Sequence, residues 1–236
     1  RIVQAAEISS EDTVVEIGAG HGSLTALLAE KAKKVIAIEL DRELCEKLKS
    51  EFNEYGNVEL DCGNALRYHY EGLPEFKVVA NIPYYITTPI IFRLIESRGN
   101  LISMTLTVQK EVAKRIAAQP GTKDYGVLSI MIQYYAVPEL KFIIPKGAFR
   151  PVPKVDSAVI HLEIRKSPLV SVKDEKFFFR VVKTAFTQRR KTLANSLKSL
   201  SVDIKDKIVH AGIDPQRRPG TLSIEEFARL ADVLYN

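Results

Sequence analysis

Thr13-Val14-Val15-Glu16-Ile17-Gly18-Ala19-Gly20-His21-Gly22-Ser23-Leu24-Thr25-Ala26-Leu27-Leu28 reads as a short apolar strand, a glycine turn and a helix with Ser23 at its N-cap. Val35-Ile36-Ala37-Ile38 makes the next strand and ends at Glu39-Leu40-Asp41. Strand, glycine turn, helix, strand and acidic residue in that order predict a nucleotide-type crossover. The glycines let backbone approach a ligand, and an acidic side chain about 20 residues further on accepts both hydroxyls of a ribose. A dinucleotide fingerprint needs its third glycine where Ser23 stands; here it comes one place early, at Gly22, which argues against NAD. The alternative is a purely structural turn in another α/β protein.

Reading outward, a helix over Arg42–Phe52 leads to a strand around Val58-Glu59-Leu60 and then to Gly63-Asn64-Ala65-Leu66. The Asn64 amide oxygen can accept a hydrogen bond from the exocyclic amine of an adenine, more weakly than a carboxylate would. The fourth strand, Lys77–Ala80, runs into Asn81-Ile82-Pro83-Tyr84-Tyr85-Ile86-Thr87-Thr88-Pro89, with a helix opening near Thr88. Four strand-helix repeats predict a mostly parallel, doubly wound sheet with its chemistry at the carboxyl ends of the strands. A G-x-G-x-G turn preceded by Glu16 resembles the methyltransferase version of this fold, whose ligand is S-adenosylmethionine. In that setting Asn81 and a backbone carbonyl beside Pro83 can accept both hydrogens of an adenine N6. The nitrogen lone pair is then freed for a sulfonium methyl by positioning and electrostatics, with no dedicated base. Tyr84 can stack on a base taken out of its helix or loop. Taken alone, the same residues also read as a tight turn with a buried tyrosine.

The chain continues with strands over Leu101–Thr107, Val137–Ile144 and Ser157–Ile164, the last two an antiparallel edge, and with helices over Gln109–Ala118 and Leu128–Tyr135. From about Lys166 only helical patterns remain: Asp174–Thr184, Arg189–Leu200, Ile204–Ala211 and Ile224–Leu234. We therefore divide the chain at Lys166, into residues 1–166 and a small all-helical domain, 167–236. Residues 165–236 hold 15 basic against 8 acidic side chains, while residues 1–164 hold 19 against 21. The whole basic excess thus sits in the tail, which points to a polyanionic partner. Arg180, Lys183, Arg189, Arg190 and Lys191 are the candidate phosphate contacts, orienting RNA without reading its sequence.

No run approaches the roughly 18 apolar residues of a membrane span. Cys45 and Cys62 belong to no Cys-x-x-Cys or Cys/His cluster and read as reduced thiols of a cytoplasmic protein, so neither a metal nor a redox site is expected. The four histidines are scattered and receive no catalytic role. Arg1-Ile2-Val3-Gln4-Ala5-Ala6 reads as the middle of an amphipathic helix, which predicts sequence before Arg1.

Three motifs in order carry a resemblance to the rRNA adenine N6,N6-dimethyltransferases. They are Asn81–Pro89, then Phe149-Arg150-Pro151-Val152-Pro153-Lys154-Val155-Asp156-Ser157-Ala158, then Phe186-Thr187-Gln188-Arg189-Arg190-Lys191-Thr192-Leu193. The likeness runs from Val14 to the end of the chain. It implies a Rossmann-like methyltransferase sheet with S-adenosylmethionine at Glu16, Gly18, Gly20, Glu39, Asn64 and Asn81. It also implies a target adenine near Asn81, Pro83, Tyr84 and Phe149, with Phe149 held by Pro151 and Pro153 as a second stacking face. Two departures stand out: family members usually carry aspartate where this chain has Asn64, and the family's Gln-Asn/His-Phe-Leu segment has no counterpart here. The resemblance implies dimethylation of small-subunit rRNA in an immature subunit, by a monomer. The rivals are a large-subunit adenine methyltransferase of the antibiotic-resistance branch and an assembly factor whose catalysis is dispensable. Pro89 after Thr87-Thr88 and the Gln188–Leu193 motif favour the small subunit.

Overall fold

A computed structural model describes residues 1–235. Seven strands form one sheet: β1 Thr13–Ile17, β2 Lys34–Ile38, β3 Val58–Asp61, β4 Phe76–Asn81, β5 Leu101–Gln109, β6 Ala136–Ile144 and β7 Ser157–Ile164. Their order is β3-β2-β1-β4-β5-β7-β6. The first five run parallel, and β7 pairs antiparallel with β5, so the edge expected from sequence is antiparallel where it joins. The helices are α1 Ile2–Ala5, α2 Ser23–Ala29, α3 Arg42–Glu51, α4 Thr87–Glu96, α5 Lys110–Ala117, α6 Val127–Tyr135, α7 Glu175–Thr187, α8 Leu193–Leu197, α9 Ile204–His210 and α10 Ile224–Tyr235.

The central strands are continuously apolar because both of their faces are covered. Val14, Val15, Val35, Ile36, Val78 and Val79 are essentially inaccessible. Val14, Val35 and Val79 pack with Val3, Leu28 and Ala32, while Ala37 packs with Ala19, Leu48 and Phe52. The early third glycine has a packing cause. Gly22 takes φ +78°, and a Cβ there would lie 2.6 Å from Phe52 Cε2 and 2.8 Å from Leu48 Cδ2. It lets the start of α2 close onto α3.

The thiol expectation is corrected: Cys45 and Cys62 form a disulfide, with Cα atoms 5.7 Å apart. The crossover explains it. The helix α3 packs back on β3, so a buried cysteine in α3 meets the residue that follows β3, a neighbourhood that a search for closely spaced cysteines does not see.

Contacts divide the chain into two compact units, Arg1–Ala113 with Pro138–Ile164, and Lys114–Val137 with Arg165–Asn236. In the second unit the Tyr134 and Phe178 rings stack at 5.1 Å, and Asp174 caps α7 through the Phe177 amide at 2.6 Å. The helix expected from Arg189 begins instead at Leu193, with Thr192 as N-cap. Arg189 is held outside it by donating to the Thr122 and Lys123 carbonyls. Among the described residues no helix is long and apolar enough to cross a membrane, and no three His, Cys, Asp or Glu side chains cluster as metal ligands.

Candidate active site

The carboxyl ends of β1 to β5 and the start of β7 meet at one edge of the sheet, because β7 begins with Ser157 opposite Gln109, the last residue of β5. Every residue read as touching cofactor or base lies on or just beyond this edge. Leaving β1, the chain takes φ +75° at Gly18 and +58° at Gly20, a left-handed backbone that favours glycine. The turn is anchored from the next strand: Glu39, at the tip of β2, accepts hydrogen bonds from the Gly20 amide at 2.8 Å and the Asp41 amide at 2.9 Å. Asp41 itself caps α3 through the Glu43 and Leu44 amides. Beside Glu39, Leu40 is 60% exposed, an apolar surface at the strand tip.

Glu16 is buried within β1 and accepts a 2.6 Å hydrogen bond from the Thr25 hydroxyl. Burial pushes its carboxyl up to about 7; the Thr25 bond opposes this, and the nearby Glu39 charge adds to it. A positive ligand beside the turn would draw Glu16 back to its ionised form. Asn64 caps a short 3₁₀ turn, Ala65–Arg67, its side-chain oxygen accepting from the Leu66 amide at 2.9 Å. It is exposed next to the disulfide-tied Cys62.

Asn81 ends β4 one residue beyond Ala80, which pairs with Ile17, the residue before Gly18. A Cβ on Gly18 would lie 3.9 Å from the Asn81 carbonyl and 4.0 Å from Pro83 Cδ, so the glycine turn and the Asn-Ile-Pro-Tyr turn are in contact. The Pro83 carbonyl accepts from the Ile86 amide, and the Ile82 amide donates to the Thr107 carbonyl. Among the described residues no backbone hydrogen bond to the Ile82 carbonyl, which precedes Pro83, is seen. Asn81 and Phe149 line a cavity of about 420 Å³ with Leu24, Thr107, Phe142 and Ile144. Tyr84 lies in a 3₁₀ turn over Tyr84–Ile86, with its hydroxyl 2.7 Å from the Ser157 hydroxyl. A roomier cavity, about 530 Å³, lies in the second unit among Lys173, Asp206, Lys207 and His210. None of Glu16, Gly18, Glu39, Asn64, Asn81, Tyr84 and Phe149 lines it.

The basic candidates belong to the second unit and differ among themselves. Arg180 lies over the Phe177 ring at 4.5 Å, and Lys183 is exposed on α7. Arg190 and Lys191 are exposed in the turn after α7, whereas Arg189 is engaged with backbone carbonyls. Arg217, also basic in sequence, is committed to Glu226. Sequence reasoning missed Thr25, Leu40, Thr107 and Ser157. The glycine motif gave a place to look for the first two; the 73 residues between Tyr84 and Ser157 gave none for the last.

The sequence matches the Ribosomal RNA adenine dimethylase family over residues 1–236. The Ribosomal RNA small subunit methyltransferase A of Clostridium botulinum (strain Loch Maree / Type A3) is 50% identical over 242 residues, covering 100% of this chain and 88% of that protein. A solved dimethyladenosine transferase from Plasmodium falciparum superposes with a TM-score of 0.82 at 29% identity, over 97% of this chain and 92% of the other. The 23S rRNA methyltransferase ErmE superposes with a TM-score of 0.78 at 28% identity, over 100% and 96%. With the match spanning the whole chain and half the residues shared with one relative, the protein belongs to the ribosomal RNA adenine dimethylase family.

Proposed function

We propose that this protein transfers methyl groups from S-adenosylmethionine to N6 of adenosines in small-subunit rRNA, giving N6,N6-dimethyladenosine, and acts as a cytoplasmic monomer on an immature ribosomal subunit. The observation that carries the reading is the contact between neighbouring strand tips, with the Asn81 turn against the Gly18 turn. It puts an amine-accepting amide beside a backbone built for close approach. The residues present fit the cofactor: a left-handed glycine turn, Glu39 at the ribose position, the exposed Leu40 as an apolar face, and a buried carboxyl at Glu16 whose ionisation favours a cationic ligand. We assign Asn64, which caps the turn after β3, to the amine of the cofactor's adenine.

When bound, S-adenosylmethionine supplies an electrophilic methyl group on a sulfonium. The chain's own part is to present the nucleophile. Asn81 Oδ1 and the Ile82 carbonyl beside Pro83 accept the two N6 hydrogens, which turns the nitrogen lone pair toward the methyl. Tyr84 and Phe149 hold the ring between them by stacking. The N6 proton leaves to solvent after transfer, so no side-chain base is needed. Residues 1–166 serve catalysis and cofactor binding; residues 167–236 serve RNA binding, with Arg180, Lys183, Arg190 and Lys191 on phosphates and Arg189 bracing its own unit. The Pro89 and Gln188–Leu193 features favour the small subunit over the large. The test is Asn81→Ala. Transfer is expected to fall about 10²- to 10³-fold, as for loss of one positioned polar group, with RNA binding largely retained. Full activity in that variant contradicts the mechanism.

A further inference from the structure

We propose that Asp156 and Ser157, the dipeptide entering β7, are positioning residues that set the spacing of the two aromatic walls, Ser157 by fixing Tyr84 and Asp156 by closing the loop that carries Phe149. The inference rests on the reading of Tyr84 and Phe149 as stacking faces for the target base.

Ser157 is fully buried at the edge where β5 ends, opposite Gln109. Its hydroxyl lies 2.7 Å from the hydroxyl of a half-buried Tyr84 that reaches across from the far side of β5. For the Tyr84 ring to swing away, the fully buried Ser157 must give up its partner, and leaving a buried hydroxyl unsatisfied is costly. The bond therefore pins the ring's far end. One residue earlier, Asp156 Oδ1 accepts from the Lys146 amide at 3.1 Å, closing a ten-residue separation. Lys146 opens the 3₁₀ turn Lys146–Ala148 that runs directly into Phe149. The Asp156 backbone carbonyl accepts from the Lys110 amide at 3.0 Å, and Oδ2 faces Lys110 Nζ at 3.5 Å. The loop is thereby fastened to the end of β5. The Lys146 amide and Lys110 hold the Asp156 carboxyl below its usual range, so the closure persists across neutral pH. Arg150 gathers the loop tip by donating to the Gly147 and Phe149 carbonyls.

The test uses the full chain with S-adenosylmethionine and a small-subunit RNA fragment, and a second fragment with 2-aminopurine at the methylated position. Ser157→Ala and Tyr84→Phe are each expected to lower kcat about 5- to 10-fold, the scale of one neutral hydrogen bond. Cofactor Kd should stay near wild type. The double variant should be no worse than either single, and Ser157→Thr, which keeps a hydroxyl, should recover activity. Asp156→Ala should lower kcat similarly and, like the others, leave the 2-aminopurine less quenched in the complex. Should Ser157→Ala fail to fold, Tyr84→Phe deletes the same bond from its other end and reads the anchor alone. Wild-type kcat in both Tyr84→Phe and Ser157→Ala beside a crippled Tyr84→Ala would overturn the anchor while leaving the stacking intact. Losses that multiply in the double variant would also overturn it. Wild-type kcat in Tyr84→Ala would instead overturn the stacking reading itself.

Discussion

The tips of β1 to β3 and the tips of β4, β5 and β7 share one edge of the sheet, yet they are assembled in different ways. The first group is local: Gly20 and Glu39 are 19 residues apart, Glu16 and Thr25 nine, Cys45 and Cys62 seventeen. Its geometry comes from backbone conformation and from bonds closed within one or two crossovers. The second group draws Tyr84 and Ser157 together over 73 residues and puts Asn81 and Phe149 on one cavity. Its geometry comes from strand order. Perturbing the first group should therefore change cofactor binding and stability, and perturbing the second should change transfer.

The largest effect expected in the first group comes from pH. The folded-state value of Glu16, about 7, lies above its ordinary 4.5. Between these values the folded chain holds a proton that the unfolded chain has released. Stability conferred by Glu16 is thus present below about 4.5 and is lost as pH rises through about 7, by roughly 3 kcal/mol in all. Thermal melting of the cofactor-free protein should show this fall, and Glu16→Gln should flatten it. Cofactor affinity should rise over the same window, because ionised Glu16 favours a cation. A wild-type melting profile that is flat from pH 5 to 8 would remove Glu16 from the account.

Of similar size is the disulfide. Closing a loop of this length is worth about 3 kcal/mol, so reduction should lower Tm and expose two thiols where the denatured, unreduced chain shows none. Thiols that titrate before reduction would contradict the bridge. Next is Glu39→Ala, which deletes the acceptor for two backbone amides along with the proposed ribose contact. Cofactor Kd should weaken about 10- to 100-fold, while kcat at saturating cofactor stays within a few-fold. If kcat collapses and Kd holds, the division between the two groups of strand tips fails.

The smallest effects fall in the helical unit. Arg190→Ala and Lys191→Ala should each weaken RNA binding a few-fold and reduce the slope of log affinity against log salt by about one. Arg189→Ala should lower Tm, because its guanidinium holds the Thr122 and Lys123 carbonyls. An unchanged salt slope in both Arg190→Ala and Lys191→Ala would move the RNA surface elsewhere.

The same difference between local and distant assembly explains what could be read from the sequence. The crossover from Thr13 to Asp41 was legible because apolar strands, glycines of positive φ and an acidic strand tip leave local marks. The two strands of the far edge, Val137–Ile144 and Ser157–Ile164, were legible as strands, and β7 pairs antiparallel with β5. Asn81 was placed at a strand end by periodicity alone, while Phe149 needed the family motif, since nothing local distinguishes it from a core aromatic. The disulfide escaped because its partners meet only when α3 folds back on β3. Arg189 was legible as a charge and illegible as a brace, because its acceptors are backbone carbonyls more than sixty residues away. Ser157 looked like any strand serine until β7 was laid beside β5.

The central claim, that the Asn81 edge delivers methyl groups to N6 of adenosine in small-subunit rRNA, is tested most directly by supplying labelled S-adenosylmethionine with unmethylated small subunits, large subunits and naked rRNA, then locating the modified nucleotides. The expected result is N6,N6-dimethyladenosine in small-subunit RNA, absent with Asn81→Ala. Label confined to large-subunit RNA would contradict it.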